Sequence, residues 1–300
     1  MKRRTFIKTT SGLAAGLATT FSRPLMALPG LIPDDSKFKN TIGLQLWTVR
    51  NQMEQDKRKT LNAIADAGYK QVELGDTSTA AEILPICKDL GLDVTSSFIN
   101  WQAICTPNAK DVPSLDSILE EAKQADLEHL VFGYINKDNR KTADQLKHHA
   151  EAANKFGEKC NTAGMKLCYH NHSFEFAKID GEKTGFDLFM DLFDNSLCKF
   201  ELDVFWAKIG GWDPVETLNK LDGRVTQVHL KDLRKGAEIC YDEGKVPNED
   251  FKECGNGSIE MVEVLKVSEK IGVEQCHVEQ DQSPDPIVSI GQSIRYLNSL

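Results

Sequence analysis

Ala163-Gly164-Met165-Lys166-Leu167-Cys168-Tyr169-His170-Asn171-His172 decides how the rest of the chain is read. Gly164 follows a helix-like run over 143–163, and a residue tolerant of left-handed backbone commonly ends a helix. Lys166 to His172 then reads as a strand. Side chains two apart on a strand share a face, so His170 and His172 point together. Three more runs close in the same way: Glu201-Leu202-Asp203, Val228-His229-Leu230-Lys231-Asp232 and His277-Val278-Glu279-Gln280-Asp281. Each puts a pair of metal-type or proton-handling groups on one face of a strand end.

Working outward, strand-like runs fall at 42–47, 71–74, 93–98, 130–134, 166–172, 199–203, 225–230 and 275–279. Helix-like runs lie between them at 58–67, 80–90, 114–125, 143–163, 214–221 and 259–271, with Gly68 and Gly91 again separating helix from strand. This βα alternation is the signature of a parallel sheet. Closed on itself it is a (β/α)8 TIM barrel, which brings all four clusters to the C-terminal rim where barrels build their sites. An open doubly wound sheet shares the alternation. Residues 41–300 read as one catalytic domain, with 233–256, rich in charge and glycine, as a long rim loop.

The front of the chain reads as an address. Met1-Lys2-Arg3-Arg4-Thr5-Phe6-Ile7-Lys8 followed by the small, apolar stretch 12–20 resembles a twin-arginine export leader over 1–27, with a linker over 28–40 and a periplasmic location as the expectation. The apolar stretch is too short for a permanent anchor, so no stable membrane span is expected in the mature form. Residues 1–27 hold five basic groups and no acid, so the formal −9 of the chain becomes −14 without them. Nucleic acid is then a poor partner, because phosphate binding needs a basic face. The eight cysteines include no CxxC pair, which gives no support for a thiolate metal site. Cys240 and Cys254, flanking a loop, are the one pair to test for a disulfide.

Several of these segments carry a family resemblance. Tyr169-His170-Asn171-His172-Ser173-Phe174-Glu175-Phe176, Glu201-Leu202-Asp203-Val204-Phe205-Trp206, Val228-His229-Leu230-Lys231-Asp232, Gly255-Asn256-Gly257-Ser258-Ile259 and Val278-Glu279-Gln280-Asp281 resemble the motif series of the sugar phosphate isomerase/epimerase family, whose fold is a xylose isomerase-like TIM barrel. Ile42 to Arg50 and Gly68 to Leu74 are similar to its first two strands. The resemblance implies one divalent metal ion (Mn, Mg, Co, Zn or Fe) held by His170 or His172, then Asp203, His229 and Glu279, with His170 favoured. It departs from the better-known epimerase branch, which has glutamate at the position of His170. That weakens a symmetric two-base epimerisation.

The residues support the same chemistry. Two imidazoles and two carboxylates suit such an ion and leave positions for vicinal substrate oxygens. His172, one side-chain step beyond His170, is the candidate general base. Lys231 shares the face of His229 and would donate a proton or bind a developing oxyanion; pairing with a nearby carboxylate is the structural alternative. Glu73, ending the second strand, would act as a second acid/base or bind a hydroxyl. Trp47 and Trp206, with Trp212, would stack on a sugar ring, core packing being the alternative. Glu201 and Asp281 read as partners that orient ligands, and Gly255-Asn256-Gly257-Ser258 as a helix-start turn or an anion cradle.

The leading expectation is a metal-dependent sugar isomerase or epimerase that removes a proton next to a carbonyl through an ene-diolate. The alternatives are a 3-keto-glycoside lyase, taking the C2 proton and expelling the C1 aglycone, and a non-catalytic sugar-binding barrel. The expected partner is a small-molecule sugar or glycoside.

Overall fold

A computed structural model describes residues 32–33, 35–39 and 41–300. The leader expected over 1–27 lies outside the described residues. Eight parallel strands form a closed barrel: β1 (Gly43–Gln45), β2 (Gln71–Leu74), β3 (Asp93–Phe98), β4 (His129–Phe132), β5 (Lys166–His170), β6 (Cys198–Asp203), β7 (Val225–Leu230) and β8 (Gln275–Val278). Each strand pairs with its neighbour in sequence, and β1 pairs with β8 to close the ring. The open-sheet alternative is thereby excluded.

Eight helices cover the barrel: α1 (Lys57–Ala67), α2 (Ala80–Leu90), α3 (Leu115–Gln124), α4 (Ala143–Thr162), α5 (Gly185–Leu192), α6 (Pro214–Lys220), α7 (Met261–Lys270) and α8 (Pro286–Asn298). α1 and α2 stop at Gly68 and Gly91, whose φ of +111° and +68° is the left-handed backbone expected of them. Thr184 and Asp187 form a capping box that starts α5, and Asp285 with Pro286 starts α8. Tyr169, Phe189, Phe193 and Phe200 stack between α5 and the barrel wall.

Part of the stretch read as a linker is packed: Ile32 and Phe38 are 3% and 1% exposed. Burying two large apolar side chains outweighs leaving them on a mobile connector. The rim loop after β7 is better ordered than expected. Asp232–Leu233 pairs antiparallel with Phe251–Lys252, so the loop leaves and returns through a two-stranded base. The Asp232 carboxylate accepts the backbone N–H of Gly255, Gly257 and Ile259, each at 3.0 Å. The glycine turn therefore wraps an internal carboxylate, and the anion-cradle alternative is set aside.

All eight cysteines are free, so the Cys240–Cys254 pairing is not formed. Cys254 Sγ instead faces the Leu230 carbonyl at 3.4 Å. Among the described residues no helix is long and apolar enough to cross a membrane.

Candidate metal and catalytic site

Barrel closure sets the site by register. His277 lies opposite His229, His229 opposite Asp203, and Glu201 opposite His170, so four adjacent strands present their polar ends at neighbouring levels. Gly43 makes this possible on the β1 side. A Cβ there would meet His277 Cδ2 at 2.4 Å, so only glycine admits that ring. The barrel interior at this height is thus polar and almost dry: Glu73, Glu201, Asp203, His229, Lys231 and His277 are all 0% exposed.

Two overlapping groups emerge, each with its ligand atoms within 4.8 Å of one another: His170, Asp203, His229 and Glu279, and beneath them Glu73, Glu201, His229 and His277. The first is the set expected to hold a metal. Its chemistry fits a divalent ion, with two imidazoles and two carboxylates; Asp203 Oδ1 accepts the Trp206 N–H, and Oδ2 makes no hydrogen bond and faces the Lys231 ammonium at 3.2 Å. The second group serves the outer nitrogens of the first. His229 Nε2 lies 2.7 Å from Glu73 Oε2, and its Nδ1 lies 3.2 Å from Glu279 Oε2. His170 Nδ1 lies 3.1 Å from Glu201 Oε1. A carboxylate behind a ligating imidazole fixes its tautomer and orientation.

Charge inside this dry volume is strongly coupled. Burial pushes the Glu201 carboxyl well up and the neighbouring Glu73 charge adds to it, against the pull of His229. Burial acts the same way on Glu73, but His277 and His229 more than offset it and hold that carboxyl at about 2. Burial alone would neutralise Lys231; instead Asp203, Asp281 and Glu279 keep it charged. Its Nζ is 2.8 Å from Glu279 Oε2, 3.2 Å from Asp203 Oδ2 and bonded to Asp281.

A cavity of about 590 Å³ opens above this layer. His170, His172, Glu279, Asp281, Trp47 and Trp206 line it, joined by Arg50, Trp101, Tyr134 and Glu243. Burial, then the Lys231 charge, pushes His172 down to about 3, so its imidazole is neutral. Burial raises Asp281 to about 6 against the pull of Lys231.

This placement bears on three of the expected roles, and for Lys231 and Trp212 it is the structural alternative that is seen. Glu73 does not line the cavity: it is sealed below the rim, accepting from Gln45 and Ser96 as well as facing His229, which is the placement of a group that orients an imidazole. Lys231 is also absent from the cavity wall, its ammonium consumed by three carboxylates. Trp212 packs on Phe176 and Phe186, away from the mouth. Conversely, Asp281, read as a ligand-orienting partner, lines the cavity as a titrating group. Arg50, Trp101, Tyr134 and Glu243 carried no local motif that would have singled them out.

The comparisons with known proteins agree with the fold. The family model for the xylose isomerase-like TIM barrel matches residues 61–300. The chain belongs to that family. A sugar phosphate isomerase/epimerase from Parabacteroides distasonis superposes with a TM-score of 0.70 at 22% identity, covering 90% of this chain and 97% of that one. An inosose dehydratase from Clostridium perfringens is 32% identical over 149 residues, 47% of this chain and 49% of the relative. The inosose dehydratase of Lacticaseibacillus casei is 23% identical over 270 residues, covering 79% and 88%. The chain spans about half the length of these clostridial relatives.

Proposed function

We propose that this xylose isomerase-like barrel is a metal-dependent lyase of the dehydratase type. It would remove the proton next to the carbonyl of a keto-sugar or keto-cyclitol and expel the oxygen substituent on the carbon beyond. The observation that carries the reading is the pair of unlike titrating groups that line one cavity. His172 is held neutral with a lone pair to accept a proton, and Asp281 is held near 6, where its carboxyl can still give one. An elimination needs one acceptor and one donor. A two-base epimerisation also needs an acceptor and a donor, but placed on opposite faces of the same carbon, and the resemblance puts a carboxylate for one of them where this chain has His170.

His170, Asp203, His229 and Glu279 would hold the divalent ion, which supplies Lewis-acid polarisation of the carbonyl oxygen. Glu73 and Glu201 keep the two imidazole ligands in one tautomer. Trp206 and Trp47, 4% and 50% exposed, offer apolar faces to a ring at the inner and outer parts of the cavity. The dehydratase name of the relatives that match by sequence supports the same reaction class.

The isomerase or epimerase expectation survives as the second reading, favoured by one observation: the Glu279 carboxylate also reaches the cavity and would return a proton to carbon. The test incubates metal-loaded protein separately with an inosose and with a ketose and follows products by NMR. Loss of water from the inosose supports the lyase; conversion of the ketose to an isomer with the inosose untouched overturns it. The periplasmic location is proposed on the Arg3-Arg4 leader alone.

A further inference from the structure

His172 has no polar contact that fixes its ring: Nδ1 is buried without a hydrogen-bond partner. Its angle is set by packing. Phe174 stacks on it at 5.8 Å and 14°, Tyr134 meets it edge-on at 5.4 Å, and Trp206 tilts against it at 5.3 Å. Two of these three neighbours are held from elsewhere in the molecule. The Arg140 guanidinium lies 3.4 Å from the Phe174 ring centre. Its Nη1 donates to the Ile135 carbonyl at 2.8 Å, and its Nη2 is shared between the two Glu243 carboxylate oxygens at 2.6 and 2.8 Å. The Tyr134 hydroxyl donates to the same Glu243 at 3.0 Å. Glu243 belongs to the loop between β7 and β8, more than a hundred residues from Tyr134.

The pair is sheltered, with the Arg140 and Glu243 side chains 8% and 13% exposed. A charge-assisted pair in such sheltered surroundings is stronger than one in water. A surface latch would look different, as the Lys137–Asp242 pair on the same loop does: it spans 2.7 Å with Lys137 59% exposed. Exposed pairs of that kind contribute little.

We infer that Arg140 and Glu243 are positioning residues for His172. The loop after β7 lays one carboxylate against Arg140 and Tyr134, and those two side chains hold the aromatic packing that aims the imidazole into the cavity. This rests on the reading of His172 as the base. It adds that the geometry of that base is set by a loop contributed from the opposite part of the chain. A base displaced by a fraction of an ångström loses rate without losing substrate binding.

The experiment uses the full metal-loaded chain with ¹⁵N-labelled histidine, His172 being assigned by its missing signal in His172→Ala. Glu243→Gln and Arg140→Met should each shift the His172 imidazole resonances, while Lys137→Ala should leave them in place. With an inosose as probe, kcat should fall about 10- to 100-fold in the first two variants, with KM and bound metal near wild type. The inference is overturned if the His172 resonances stay put in both variants, or move as far in Lys137→Ala. Wild-type turnover by His172→Ala would instead remove the reading of His172 as base, a result separable from the resonance shifts.

Discussion

Replacing Lys231 by Met keeps the aliphatic stem and deletes an ammonium that sits among three carboxylates. The structure puts Nζ 2.8 Å from Glu279, 3.2 Å from Asp203 and in contact with Asp281, with the lysine side chain 0% exposed. Deleting one partner of a buried ion pair typically costs about 3–5 kcal/mol, because the remaining charge is stranded. At roughly 2–4 °C per kcal/mol for a chain of this size, the metal-free variant should melt on the order of 10 °C lower. The loss should depend on pH. Asp281 already has a folded-state value of about 6 and Asp203 is also raised, both by burial, and losing Lys231 raises these two further and lifts the Glu279 carboxyl from the low value that Lys231 and His229 hold it at. An acid whose folded-state pKa is raised stabilises the fold at low pH, and that stability is lost as pH rises through the shifted value. The deficit should therefore be small near pH 5 and large near pH 8. Added Mn²⁺ should recover more of it in the variant than it adds to wild type, since a divalent ion bound at His170, Asp203, His229 and Glu279 replaces the missing charge. Thermal melts followed by circular dichroism at both pH values, with and without metal, check all of this. Equal metal-free midpoints for variant and wild type at pH 8 would refute the reasoning.

Asp203→Ala and His229→Ala should each lower bound divalent metal sharply while the barrel stays folded; elemental analysis showing full metal in both would dismiss the ligand set. If the Asp281 carboxyl is the proton donor, turnover should be present below about pH 6 and decline above it, because the donor must be protonated. A rate that holds to pH 9 would move the role elsewhere. Arg3→Lys with Arg4→Lys should strand the protein in the cytoplasm of its host, measured by fractionation; unchanged periplasmic recovery would show that these arginines are not read as an export signal.

The barrel was legible because local chemistry and topology agree: β2, β3 and β7 begin and end where the apolar runs do. The edges that moved have local causes. β5 ends at His170, short of His172, because the Asn171 side chain takes the Asp203 backbone and the His172 N–H turns to Glu175. β1 ends at Gln45, whose side chain caps the turn Leu46–Val49. Helix α5 was overlooked although Thr184 and Asp187 spell its capping box, since it follows a short hairpin over 178–184 and not a strand end. The clustering of His170, Asp203, His229 and Glu279 was readable because each lies at a strand end at the same height. Burial was not readable, and burial separates Glu73 and Lys231 from Asp281. Nor was the contact of Glu243 with Arg140 and Tyr134, because no spacing connects a loop glutamate to residues a hundred positions away.

The central claim is that a proton leaves carbon next to a carbonyl and that His172 receives it. Wild type and His172→Ala, both with full divalent metal, would be incubated with an inosose in D₂O and followed by ¹H NMR. The account predicts loss of the proton signal beside the carbonyl with wild type, accompanied by elimination product, and a rate lower by about 10²-fold or more in His172→Ala. Retention of that signal with metal-loaded wild type, or an equal rate in His172→Ala, would contradict it.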